Sequence, residues 1–189
     1  MQSRLLFQLL RTFWVSRCQD ICQGLCPINH HNPPIVWSIE HVVPKSVLRN
    51  PRVANDLHNL VYFPRQLNNA RSSLKYVEAN HSEDAKHVYP CKTCKLPGVE
   101  CPLKGYMYKQ RFAPPNTWKG RIARAVLYMA QQYPEYKSKI NIRVLDLSVA
   151  TAWNLKYPPG KDDYQWDEIV KTFQGNSNPY CHKTLLIKE

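Results

Sequence analysis

Between Ser3 and Arg17 the apolar residues fall at Leu5, Leu6, Leu9, Leu10, Phe13 and Trp14, with Arg4, Gln8, Arg11 and Thr12 set among them. That spacing keeps one face of a 3.6-residue turn apolar and predicts an amphipathic helix. Gln8 and Arg11 interrupt the apolar run and no small-residue cleavage site follows, so a packed helix is expected rather than a cleaved leader. Ile35 to Val43 is dense in β-branched and aromatic residues and reads as a strand, and Asn59 to Phe63 reads as a second one. Between them, Pro44 to Asn55 is expected to form a loop. Pro64 suits the first turn of a helix running to about Ser73. The order is strand, loop, strand, helix.

Beyond it the pattern changes. Tyr76 to Pro115 keeps neither period, and its prolines and lysines predict an irregular excursion. Asn116 or Thr117 is then expected to cap a helix whose apolar face is Ile122, Val126, Met129 and Tyr133, with Arg121 and Arg124 turned away from that face. Asn141 is expected to cap another helix, with Ile142, Leu145, Val149 and either Ala152 or Trp153 inward. Trp166 to Phe173 reads as a short helical patch, followed by the amide-rich turn Gln174-Gly175-Asn176-Ser177-Asn178-Pro179-Tyr180. The elements predict an α+β chain, mixed and largely helical, folded as one domain. Its parts are an N-terminal helix and Cys-containing loop (1–34), a ββα core (35–75), a Cys-containing insertion (76–115) and a helical C-terminal part (116–189). No stretch approaches the roughly 18 apolar residues of a membrane span.

Charge narrows the partners. Lys and Arg number 26 against 14 Asp and Glu, for a formal charge of +12. The basic residues are spread through the chain, which favours nucleic acid as partner ahead of an anionic membrane. Seven cysteines rule out complete internal pairing and leave the redox compartment open. Cys91, Cys94 and Cys101 have the front half of a zinc-site spacing, with His81, His87 or Cys181 as the fourth ligand. Disulfides, with Cys18, Cys22 and Cys26 as partners, are the alternative. The two stand about level, with a structural Zn²⁺ slightly favoured by the CxxC.

The chemistry centres on Trp37-Ser38-Ile39-Glu40-His41-Val42-Val43-Pro44. On a regular strand Glu40 and His41 point to opposite faces, so they can share a site only at a strand end or bulge. Asn68 and Arg71, three apart on the expected helix, share a face. A Glu40 carboxylate and the Asn68 carbonyl are hard oxygen ligands suited to Mg²⁺, and an unligated His41 could act as general base on a water. Taken singly, each residue has a bland reading: a solvated strand end for Glu40-His41, a loop tie for His58, a surface amide for Asn68. Their joint occurrence in a strand–strand–helix order lifts the functional reading above these.

The segments WSIEHVVPKS, DLHNLVYFPRQLNNAR, KGRIARAVLYMAQQYP, TAWNLKYP and QGNSNPY resemble, in order, those of the bacterial endonuclease I family, part of the His-Me finger or ββα-metal superfamily. The resemblance runs from about Val36 to Tyr180, with Tyr76 to Phe112 divergent. It implies a ββα-metal core and a metal-dependent, sequence-tolerant endonuclease acting on DNA, with RNA left open. Attack by a His41-activated water would leave 5′-phosphate ends. By position, Glu40 and Asn68 resemble the metal ligands, for Mg²⁺ or another divalent ion such as Mn²⁺ or Ca²⁺. Arg71 resembles the arginine that follows, a phosphate contact or structural anchor. Asn59, beside His58, resembles the amide that braces the loop. Arg49 and Arg52 are candidates for a loop arginine that assists catalysis, and Arg121 and Arg124 match a helix expected to face the phosphate backbone. The family implies a secreted or periplasmic setting; without a clean signal peptide, an intracellular or viral one stays open. A monomer is expected. A sequence-specific HNH-type endonuclease and a non-catalytic, zinc-stapled basic binding protein are the competing readings.

Overall fold

The computed structural model describes residues 12–13, 35–79, 85–90, 101 and 103–182. Strand β1, Trp37–His41, pairs antiparallel with β2, Leu60–Pro64, in unbroken register from Trp37 opposite Pro64 to His41 opposite Leu60. Helix α3, Arg65–Arg71, follows directly and packs on both strands. Pro64 thus ends β2 and stands just before the helix, where its fixed φ and missing N–H cost nothing. The expected loop between the strands instead holds two single-turn helices, α1 at Lys45–Leu48 and α2 at Pro51–Ala54. Val47, Leu48, Val53 and Ala54 point inward from them, and Asn50 caps α2 by accepting from the amides of Arg52 and Val53.

The region expected to be irregular contains a small sheet. Strands β3 (Lys75–Tyr76), β4 (Lys86–Val88), β5 (Gly105–Tyr108) and β6 (Arg111–Ala113) assemble in the order β3-β6-β5-β4. They are two to four residues long, too short to show a period along the chain. Phe112 anchors the sheet edge-on against Phe63 and Tyr76.

Helix α4, Asn116–Gln132, runs through the core with Trp118, Ile122, Val126 and Met129 buried. Neither Asn116 nor Thr117 caps it; the cap position is Pro115 and Asn116 is its first residue. Trp118 donates its indole N–H to the Tyr62 carbonyl, tying α4 to β2. The expected helix from Asn141 is two helices, α5 at Lys137–Arg143 and α6 at Leu147–Lys156. Asn141 still serves the second, because its Oδ1 accepts from the Leu147 amide. Leu145 and Trp153 are buried as expected, but Ile142 is 67% exposed and Ala152 faces solvent. Gly120 allows α4 to approach the end of α6: a Cβ there would lie 2.4 Å from the Tyr157 carbonyl oxygen. The expected short patch at Trp166 is the full helix α7, Lys161–Gln174, ended by Gly175 at φ +83°, a left-handed turn suited to glycine.

The fold is mixed α+β, and its main core runs from Val42 and Val43 through α3, the small sheet and α4 to Trp153. Of the predicted N-terminal helix, Thr12 and Phe13 are described and are helical, and Phe13 packs against Trp166; the rest, with Cys18, Cys22 and Cys26, lies outside the described residues. No described helix is long and apolar enough to cross a membrane.

Candidate active site

β1 stops at His41, and the strand end decides where its last two side chains go. The strand is regular through both residues and has no bulge, so the pleat sends them to opposite sides. Glu40 turns inward and is 4% exposed. Its Oε1 accepts from Arg71 Nη1 at 2.6 Å and from the Tyr76 hydroxyl at 2.8 Å. Oε2 takes no hydrogen bond among the described residues. Burial pushes the Glu40 carboxyl up from its ordinary value, while the Arg71 guanidinium and the Tyr76 hydroxyl pull it down.

Arg71 holds more than Glu40. Buried to 1% exposure, it donates to the carbonyls of His41 (3.1 Å), Val42 (2.8 Å) and Leu74 (3.2 Å), and its guanidinium lies 4.2 Å from the Tyr76 ring centroid. The His41 and Val42 carbonyls belong to the chain just as it leaves the hairpin ladder, and Leu74 to the link after α3. The arginine therefore fastens the strand end, and its burial leaves it no surface for a phosphate.

His41 is half-buried on the other side. Its Nε2 lies 3.3 Å from Asn55 Oδ1. With that oxygen as acceptor, the ring proton sits on Nε2 and Nδ1 keeps its lone pair. Burial pushes the imidazole below its ordinary value; the Asn55 bond opposes this, and nearby Lys45 adds to it. The ring is thus neutral near neutral pH, the form a base requires.

Asn68 comes up from α3 to the same strand. Its Nδ2 donates to Ser38 Oγ (2.9 Å) and to the Ile39 carbonyl (3.1 Å). A carbonyl can only accept, so this contact fixes which end of the amide is nitrogen. Oδ1 is left without a hydrogen bond among the described residues. Ser38 and Glu40, two apart, share a face of β1. The chain thus brings two uncommitted oxygens, Glu40 Oε2 and Asn68 Oδ1, to neighbouring positions along one strand. This donor set fits a hard divalent cation.

Asn59 holds the loop between His41 and β2. Its Oδ1 accepts from the Val43 amide at 2.8 Å, and its Nδ2 donates to the carbonyls of Val43 and Ala54. His58, also buried, packs at a tilt against the Tyr128 ring and reaches the Asn176 carbonyl at 3.3 Å. Behind them Asp56 accepts from the Tyr128 and Tyr133 hydroxyls, from Gln174 Nε2 and from the His58 amide. Gln174 Oε1 accepts from the Leu57 amide, and Asn178 donates to the Arg124 carbonyl. The amide-rich turn is therefore a clamp on the loop that carries the site.

The arginines divide. Arg49, at φ +51° where α1 ends, and Arg52 on α2 are exposed. Arg124, expected on the phosphate-facing side, is instead 3% exposed, ion-paired to Asp163 at 3.0 Å and donating to the Tyr157 carbonyl. Arg121 bridges Asp163 and Asp162. The three-residue spacing did put both on one side of α4, but α7 covers that side with its acidic first turn.

Of the cysteine cluster, Cys91 and Cys94 lie outside the described residues, as does His81; Cys101 is buried. His87 stands edge-on to Tyr106. Cys181 is buried, and desolvation pushes its thiol up to about 12, which makes it a poor thiolate donor. Sequence reasoning missed Ser38, Asn55 and Tyr76. Asn55 was legible only as a polar residue closing the loop, and Tyr76 only as the first residue of the stretch expected to be irregular.

Comparison with known proteins gives the chain's family. The Endonuclease I family matches residues 18–184. An extracellular deoxyribonuclease of Aeromonas hydrophila is 25% identical over 132 residues, covering 70% of this chain and 50% of that protein. Endonuclease-1 of Buchnera aphidicola subsp. Baizongia pistaciae is 27% identical over 131 residues (69% and 47%). A periplasmic deoxyribonuclease of A. hydrophila is 24% identical over 133 residues (70% and 49%). The chain spans about half the length of the curated relatives it matches. With the match extending from Cys18 through β1, the hairpin loop and the amide clamp, the chain belongs to the endonuclease I family.

Proposed function

We propose that the protein is a metal-dependent, largely sequence-nonspecific DNA endonuclease built on a His-Me finger core. The observation that carries this reading is the strand end itself. A neutral imidazole with a free Nδ1 stands there next to a carboxylate, and an amide arriving from the following helix leaves a second oxygen open. Membership of a family whose relatives are named deoxyribonucleases supports it.

In this reading His41 Nδ1 accepts the proton of the attacking water, while Asn55 holds the ring by its other nitrogen. Glu40 Oε2 and Asn68 Oδ1 would hold a divalent cation, Mg²⁺ first, which when bound supplies positive charge at the phosphate. Arg71 opposes the effect of burial on the Glu40 carboxyl and holds its Oε1, and thus acts by positioning. Because Glu40 and His41 lie on opposite sides of β1, a phosphate can reach both only around the open end of the strand, past His41. The product phosphate would remain on the 5′ side. The +12 charge would supply sequence-independent affinity. Relatives named extracellular and periplasmic support action outside the cytoplasm.

The test is degradation of plasmid DNA and of RNA by purified protein with Mg²⁺ and with EDTA. Cutting with Mg²⁺, its loss in EDTA, and a drop of roughly 10²–10⁴-fold in His41→Ala are expected. Binding without cutting, or an active His41→Ala, overturns the reading.

A further inference from the structure

A second basic feature lies outside the Glu40, His41 and Asn68 set. A cleft of about 410 Å³ opens where four segments meet. Ser46 and Arg49 come from α1 and its end, Ser73 from the link between α3 and β3, Lys75 from the start of β3, Gln110 from the β5–β6 turn, and Arg143 from the last turn of α5.

Its cations differ from those of the interior. Arg71 faces Glu40, Lys119 faces Glu78, and Arg121 and Arg124 face Asp162 and Asp163. Arg49 and Arg143 are both exposed and have no carboxylate partner among the described residues. Lys75 has one, Asp146 at 2.9 Å, on a side chain that is itself 50% exposed. The lining thus holds three cations and no carboxylate, and two hydroxyls and a carboxamide add neutral hydrogen-bonding groups.

The cleft is rigidly tied to the candidate active site. The Arg49 amide bonds back to the Lys45 carbonyl and fixes the left-handed turn at the rim. The Tyr76 amide donates to the carbonyl of Val144, the residue after Arg143, at 2.7 Å. Tyr76 is also the residue whose hydroxyl holds Glu40. Ser46 stands five residues beyond His41. The cleft and the candidate site are thus built on the same chain segments.

We propose that the cleft is a backbone-tracking subsite for nucleic acid, in which Arg49 and Arg143 each take a phosphate flanking the scissile one. Ser46, Ser73 and Gln110 contact phosphate or sugar oxygens beside them. The proposal rests on the nuclease reading for its ligand. Phosphate contacts of this kind position a strand without reading its sequence, and each releases counterions on binding.

The experiment is fluorescence anisotropy of a short labelled DNA duplex with the full chain in EDTA, as a function of salt. Arg49→Gln and Arg143→Gln should each weaken binding several-fold, equally for duplexes of different sequence. Each should also flatten the slope of log K against log salt by about 0.9. Arg143→Lys should restore the slope, and Ser73→Asp should weaken binding without altering the melting temperature. Variants that keep the parent's affinity and slope overturn the proposal, as does a parent that does not bind duplex. The two readings separate cleanly. A parent that fails to cut plasmid with Mg²⁺ but shows the expected slopes keeps the cleft and loses the nuclease. A parent that cuts, with slopes unmoved, does the reverse.

Discussion

Glu40 and His41 are joined by one peptide bond and sit in different surroundings. On the inner side of β1, Glu40 is paired, hydrogen-bonded and sealed against Arg71 and Tyr76. On the outer side His41 is half-buried with a single side-chain hydrogen bond, to Asn55. The inner side is built for fixed geometry: four hydrogen bonds from Arg71 go to Glu40 and to the His41, Val42 and Leu74 carbonyls. The outer side is built for access. The pleat allots the two roles, one to each face, and a strand end is where a ligand can reach both.

If that division is right, substitutions on the two sides should fail differently. The largest effect is expected at His41→Ala: activity on plasmid falls by about 10²–10⁴-fold, while stability falls by no more than about 1 kcal/mol, the loss of one side-chain hydrogen bond from a half-buried ring. Arg71→Met should do the converse first, costing about 3–5 kcal/mol in denaturant unfolding, because it strands a buried carboxylate and unpairs carbonyls. Asn59→Ala follows, at about 1–3 kcal/mol, since Val43 loses both of its side-chain partners while buried; its activity should fall only as far as the fold does. The smallest and most discriminating change is Asn55→Ala. The Asn55 bond raises the His41 pKa against burial, so its loss should lower that pKa further. A base must be unprotonated to act, so the acid limb of the pH–rate profile, already below the ordinary imidazole value, should move to lower pH. The rate loss should be smaller than for His41→Ala. An unmoved limb would mean that Asn55 does not hold the ring.

Much of this was legible in the chain because it is local. The β1–β2–α3 order, the α4 core face and the inward Leu145 and Trp153 follow from periods of two and 3.6 read over several turns. Asn68 and Arg71 are brought to β1 by a helix that starts directly after β2, so their spacing was enough to find them. What failed was either too short or too distant. Strands β3 to β6 never complete a pattern. Ile142 faces solvent because Val144 and Leu145 end the helix it was assigned to and start a new direction. Arg124 was read as a surface cation because nothing within a turn of it announces Asp163, which arrives from α7 in three dimensions. Tyr76 and Asn55 were invisible as site residues for the same reason: their partners lie 36 and 14 residues away.

The amide clamp has a consequence in time. Gln174 holds Leu57 and Asp56, and Asn176 meets His58, across separations of 117 and 118 residues. During synthesis β1, β2 and α3 emerge early and can pair, yet the loop bearing Asn55 and His58 lacks its contacts from Gln174 and Asn176 until those residues are made. The candidate site is therefore completed late in synthesis, and nascent chains halted before α7 ends should pair their first strands without it.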